Sequence, residues 1–162
     1  GTLLGLNTGL DFSRSSYGPF SSELKTKLTK LSNNRLVKEE RIGSLLQVKV
    51  GKTFDDARKM YADEIKKSED TISKLVDLFC RLDREKAEIA ATVDFAYRTM
   101  KLKHSGKATE EDVLSEVMEW KKRRKPVYDR KEVIQTIHNL AVHRWLDLDP
   151  KKHLDECELL EV

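Results

Sequence analysis

Residues 21–50 read SSELKTKLTKLSNNRLVKEERIGSLLQVKV, and the fold turns on how this stretch divides. Leu24, Leu28 and Leu31 recur at helical spacing with Lys25, Lys27 and Lys30 on the other faces, the pattern of an amphipathic helix. Ser21 or Ser22 can cap it, because a hydroxyl oxygen accepts a backbone N–H that the first turn leaves unpaired. Asn33-Asn34 can end it. Leu36-Val37-Lys38-Glu39-Glu40-Arg41-Ile42 and Leu45-Leu46-Gln47-Val48-Lys49-Val50 then read as two short strands around Gly43-Ser44. A helix running into a β-hairpin is the second half of a winged helix.

Upstream, Tyr17-Gly18-Pro19-Phe20 is a turn: Gly tolerates positive φ and Pro fixes its own. The chain opens on Gly1-Thr2-Leu3-Leu4 without an initiator Met, which reads as a piece of a longer chain extending upstream. Downstream, Thr53 precedes Phe54-Asp55-Asp56, a helix start with carboxylates toward the positive end of the dipole. Phe54, Ala57, Tyr61 and Ile65 mark one face of that helix. Ile72, Leu75, Val76, Phe79 and Leu82 form a second stripe. A long helical pattern from about Arg84 to Lys103 carries Ala87, Ala90, Ala91, Val93, Ala96 and Met100, small residues that suit close packing, and Gly106 stops it. Thr109-Glu110-Glu111-Asp112 is a capped start for Val113, Leu114, Val117 and Trp120. Asp129-Arg130-Lys131-Glu132 has capping-box spacing ahead of Val133, Ile134, Ile137, Leu140 and Ala141. Arg144-Trp145-Leu146-Asp147-Leu148 alternates like a strand. The expected architecture is mainly α with small β: a winged-helix-like helix and hairpin (residues 1–52) packed on a helical bundle ending in a helix–strand unit (53–150), then an acidic, frayed tail (151–162).

The 162 residues hold 31 Lys+Arg against 28 Asp+Glu, a formal +3, with 38% hydrophobic and 36% charged residues. That composition supports a core and excludes wholesale disorder. The longest apolar runs, such as Ile89-Ala90-Ala91, are far short of the roughly 20 residues a membrane span needs. No cationic-then-apolar leader opens the sequence, and two distant cysteines, Cys80 and Cys157, suit a reducing cytoplasm and exclude a disulfide scaffold. Residues 1–50 carry 8 basic and 4 acidic groups, without the strong bias of a dedicated DNA binder.

Catalytic signatures are missing from the sequence. His104, His138, His143 and His153 lack metal-site spacing, no GxSxG elbow occurs, and the glycines never cluster into a phosphate loop. Cys80, beside Phe79, reads as a core thiol; Cys157 lies among carboxylates that blunt its reactivity. The carboxylate pairs Asp55-Asp56 and Asp63-Glu64 read as solvated helix starts or polar faces. No catalytic residue, cofactor or metal is expected.

Two charge features remain. Lys121-Lys122-Arg123-Arg124-Lys125, flanked by Trp120 and Tyr128, could contact phosphates and stack on bases, or could simply be a solvated helix end. Asp147, Asp149 and then Asp155, Glu156, Glu158 and Glu161 make the end acidic, a candidate imitation of a phosphate backbone or a plain solubilising tail.

Three stretches together resemble a known family. Gly9-Leu10-Asp11-Phe12, then Tyr17-Gly18-Pro19-Phe20 and a helix with Leu24 and Leu31, resemble the YwgA-like winged-helix module. The stretch Ala87-Glu88-Ile89-Ala90-Ala91-Thr92-Val93-Asp94-Phe95-Ala96, with Thr109-Glu110-Glu111-Asp112-Val113 and Glu119-Trp120-Lys121, resembles the region after it. The Ile134 to Leu140 helix leading to Trp145-Leu146 completes the pattern. The combination, from about residue 9 to 148, is similar to the C-terminal domain of DarG antitoxins, which accompany DarT toxins. The resemblance implies a domain that binds DarT, an enzyme transferring ADP-ribose from NAD onto single-stranded DNA, and blocks its DNA site. A macro domain upstream would remove the modification.

The expectation is therefore a cytoplasmic, non-enzymatic antitoxin domain with a protein partner, no membrane and no small-molecule substrate. Acidic and aromatic groups would stand in for phosphates and bases: Trp120, Tyr128, Trp145, Asp147 and Asp149. The alternative is a winged-helix DNA-binding regulator that uses Lys25, Lys27, Lys30, Lys121, Lys122, Arg123, Arg124 and Lys125.

Overall fold

The computed structural model describes residues 2–3, 6–43, 45–103 and 107–149, with the backbone alone for residues 2–7 and Leu45. The chain is mainly helical with small β elements. Three antiparallel two-stranded sheets pair β1 (Thr2–Leu3) with β2 (Leu6–Asn7), β3 (Ser13–Ser15) with β4 (Gly18–Phe20), and β5 (Val37–Ile42) with β6 (Leu45–Val50). The helices are α1 (Ser22–Asn33), α2 (Phe54–Met60), α3 (Ala62–Lys67), α4 (Glu69–Cys80), α5 (Arg84–Lys103), α6 (Glu110–Lys121) and α7 (Arg130–Val142).

The core belongs to α5, α6 and α7. Ile89, Ala90, Val93 and Ala96 of α5 meet Val113, Leu114 and Val117 of α6 and Val133, Ile134, Ile137 and Leu140 of α7. The alanines let the helices approach closely, and each large aliphatic side chain so buried contributes about 1.5–3 kcal/mol. Ala108, Tyr128 and Leu146 close the core from the connecting segments. The caps follow the sequence in the main. Thr109 and Asp112 satisfy each other's backbone N–H groups in a capping box. Asp129 caps α7, but its carboxylate takes the N–H of Lys131 instead of completing a box with Glu132.

The segment 21–50 folds as its pattern requires. The Ser21 hydroxyl accepts from Leu24 N–H, α1 ends at Asn33, and β5 and β6 pair from Val37↔Val50 to Ile42↔Leu45 around Gly43. Gly51 N–H donates to Leu36 O at 2.8 Å and Thr53 N–H to Arg35 O, which closes the base of the hairpin against the end of α1. Tyr17 to Phe20 does bend, in a way the sequence did not reveal: Ser16-Tyr17 is the two-residue tip of the β3–β4 hairpin, with Gly18 at φ +106°. β4 lies against α5, where Gly18 faces Thr92 and Glu88.

Three expectations fail. Residues 144–148 are not a strand. Arg144 turns the chain at φ +58°, Trp145 N–H returns to Leu140 O, and residues 146–149 are held by the Tyr97 hydroxyl against Asp147 and by the bond from Asp149 N–H to Ala108 O. With no strand alongside, the alternation serves only to sink Leu146 into the core. The helix begun at Phe54 breaks at Tyr61 and again at Ser68, and the Thr53 hydroxyl bonds Asn34 O instead of capping. Cys80 is exposed rather than buried, because α4 turns Leu78 toward the core and leaves Ile72 and Val76 on the surface. Gly106 as a helix stop and the acidic tail lie outside the described residues.

Candidate partner interface

The basic block is not one surface. Lys121 is only 2% exposed: its ammonium donates to Ser16 O at 2.8 Å and lies 3.4 Å from Glu88 Oε1. Arg124 grips the same carboxylate through Nε at 3.1 Å and through its Nη2 at 3.3 Å, and the Tyr128 hydroxyl donates to Glu88 Oε1 at 2.6 Å. Burial works against ionisation of Glu88, but the bonds from Tyr128 and Arg124 and the charges of Lys121 and Arg124 outweigh it and hold its pKa below the usual value. Burial lowers the pKa of Lys121, with Glu88 opposing; burial and the Glu88 contact raise that of Tyr128. Lys121, Arg124 and Tyr128 therefore tie the 121–128 turn and the β3–β4 tip to α5. They are withdrawn from any interface. Lys122 (beside Glu119), Arg123 and Lys125 stay on the surface.

A signal for this cluster was present in the sequence. Glu88 stands four residues before Thr92 and eight before Ala96, on the buried stripe of α5, and a carboxylate there needs an interior cation.

The other expected contact residues have separate surroundings. Trp120 is half-buried, its ring tilted at 56° against Phe95 with centroids 5.4 Å apart, and its indole N–H donates to Ser15 O. Trp145 packs on the edge of the core and lines an open groove of about 800 Å³ between α4, α5 and α7. The groove has an apolar floor, Leu78, Leu82 and Leu140 among it, and walls of mixed charge. Asp147 is exposed beside Lys107, 3.2 Å away, and Asp149 is half-buried. Of the five residues proposed from the sequence, Tyr128 is buried, Trp120, Trp145 and Asp149 are half-buried and Asp147 is exposed.

On α1, Lys25, Lys27 and Lys30 are exposed. On the hairpin, Glu40 is held by Lys38 and Lys49 at 2.7 and 2.5 Å, and their hydrogen bonds and charges bring its pKa down to about 2. The salient feature of this half is what it leaves uncovered. From Ser22 to Glu88 no described side chain is buried, while Leu24, Ile42, Leu46, Val48, Val50, Met60 and others stand exposed. Composition and periodicity had located these apolar residues but not their exposure.

His138 Nε2 lies 3.2 Å from the buried Glu110 carboxylate and links α6 to α7; His143 ends α7. His104 and His153 lie outside the described residues, as does Cys157. No helix of the described residues is long and apolar enough to cross a membrane. No protein-family model matches the chain, and no curated protein matches it.

Proposed function

We propose that this chain is a non-catalytic antitoxin domain that binds a DNA ADP-ribosyltransferase of the DarT kind and neutralises it by occluding its DNA site. It would act in the bacterial cytoplasm, alongside an upstream macro domain that removes ADP-ribose from DNA. The motif order from Gly9 to Leu148 suggests the class of partner. The observation that carries the reading is the stretch from Ser22 to Glu88, which has no buried described side chain and many exposed aliphatic ones. A two-stranded hairpin and short helices of this kind are marginal in water, and contiguous apolar surface marks a docking face. Neutralisation by such a face needs a matched surface and no cofactor.

The test is inhibition. A DarT-type toxin is assayed for ADP-ribosylation of a single-stranded oligonucleotide while this chain is titrated in. Stoichiometric loss of activity, with a complex on size-exclusion chromatography, is expected. Full toxin activity in large molar excess of the chain sinks the reading.

A winged-helix regulator remains the second reading, favoured by the exposed Lys25, Lys27 and Lys30 and by Lys122, Arg123 and Lys125. The loss of Lys121 and Arg124 to Glu88 weakens it. Duplex affinity falling with salt at a log–log slope of about −0.9 per phosphate contacted would support it.

A further inference from the structure

Ser16-Tyr17, the tip of the β3–β4 hairpin, is held from inside the molecule. Trp120 Nε1 donates to Ser15 O at 3.2 Å and the Lys121 ammonium to Ser16 O at 2.8 Å, so side chains of α6 fix both carbonyls that lead into the tip. On its other side Gly18, at φ +106°, lies so close to α5 that a Cβ there would stand 3.5 Å from Thr92 Oγ1 and 3.7 Å from Glu88 Cγ. With its backbone fastened in this way, the tip carries the Tyr17 ring outward, 75% exposed. Neither the turn nor the core uses that ring: the positive φ belongs to Gly18, and Tyr17 is outside the buried cluster.

The turn after α6 is fastened to the same point. Lys121 and Arg124 both hold Glu88, Arg124 N–H closes on Lys121 O at 2.9 Å, and Arg124 Nη1 donates to Pro126 O at 2.7 Å. Lys122, Arg123 and Lys125 are left exposed around this staple. Lys122 stands 3.0 Å from Glu119; among the described residues Arg123 and Lys125 have no ion-pair partner. One buried pair, Lys121 with Glu88, thus sets an outward aromatic ring beside three surface cations.

We infer that this tip and turn bind single-stranded nucleic acid, with the Tyr17 ring stacking on a base and Lys122, Arg123 and Lys125 meeting phosphates. A single strand offers a polyanionic backbone and open base faces, and the two halves of the patch match the two. A duplex keeps its base faces in the stack and an acidic peptide has none, so either would use the cations and leave the ring in water. Holding the ring out in advance avoids the cost of ordering a mobile anchor. Trp120 and Tyr128, which flank the basic block in sequence, are engaged with Phe95 and Glu88 and are not the stacking faces. The inference does not rest on toxin binding, since it concerns a different ligand.

Fluorescence anisotropy of a labelled oligothymidylate, with no toxin present, tests it. The wild-type chain binds at low salt, and log K falls against log salt with a slope of about −2, from three cations at about −0.7 each. Tyr17→Ala weakens binding about tenfold, as loss of one stacked base does, and leaves the slope unchanged; Tyr17→Trp keeps the wild-type affinity. Lys122→Ala/Arg123→Ala/Lys125→Ala flattens the slope toward zero. All four positions are exposed, so the variants keep the wild-type circular dichroism. A chain that binds the oligonucleotide yet leaves a DarT-type toxin active keeps this site and loses the antitoxin reading. No binding of oligothymidylate, a Tyr17→Ala chain that binds like wild type, or a duplex or polyglutamate that competes as well as the single strand overturns the inference.

Discussion

The ammonium of Lys121 sits 3.4 Å from Glu88 Oε1 across the α5–α6 interface, with both side chains nearly closed to solvent. This pair converts the middle of a basic block into an interior fastening. It also anchors the β3–β4 tip, because the same ammonium donates to Ser16 O. Removing one member strands the other. Glu88→Ala should cost about 3–5 kcal/mol in urea unfolding, and Lys121→Met with Glu88→Leu should cost less than the sum of the two single changes. Additive costs would show that the pair is not coupled.

The same carboxylate sets an acid limit. Its pKa is lowered on folding from the ordinary 4.5, so its stabilising contribution is complete above that value and is lost as pH falls through the folded one. Urea midpoints measured from pH 6 down to pH 3 should fall more steeply for wild type than for Glu88→Gln. Parallel curves would assign the acid limb to other carboxylates.

Two glycines of the hairpin should respond differently to alanine. A Cβ on Gly51 would run into the carbonyl of Arg35, and the backbone cannot yield without breaking the Gly51–Leu36 bond at the hairpin base. Gly43 has open space around it and meets only the strain of φ +61°, a cost of about 1–2 kcal/mol. Amide exchange across β5 and β6 should therefore accelerate far more in Gly51→Ala than in Gly43→Ala.

Cys80 is on the surface, whereas the apolar run around it suggested a core thiol. In a Cys157→Ser background, a thiol reagent should label it in the native state as fast as in urea. Labelling that waits for unfolding would place the thiol inside.

Loss of the Thr109 cap gives a local measure of α6. Thr109→Ala removes the acceptor for Asp112 N–H and should lower stability by about 1 kcal/mol. Serine at the same position should restore most of it.

Legibility divided along physical lines. Residues 21–50 were readable as helix and hairpin because caps, glycines and alternating side chains act over a few residues. The α5–α7 core was readable for the same reason, since a 3.6-residue period names a buried face before its partner is known. Residues 144–148 misled, because alternation marks a strand only where a second strand supplies hydrogen bonds. Trp120, Tyr128, Trp145, Asp147 and Asp149 were chosen by residue type, and type does not say whether a side chain is spent inside the molecule.

By itself, then, the sequence determined where helices start and stop, which faces are apolar and where the chain turns, since these depend on neighbours one to four residues away. Tertiary structure alone decided that Lys121, Arg124 and Tyr128 close on Glu88, and that Leu24, Ile42, Leu46, Val48, Val50 and Met60 stay exposed. Burial and ion pairing depend on groups more than thirty positions apart meeting in space, and no local pattern encodes that meeting.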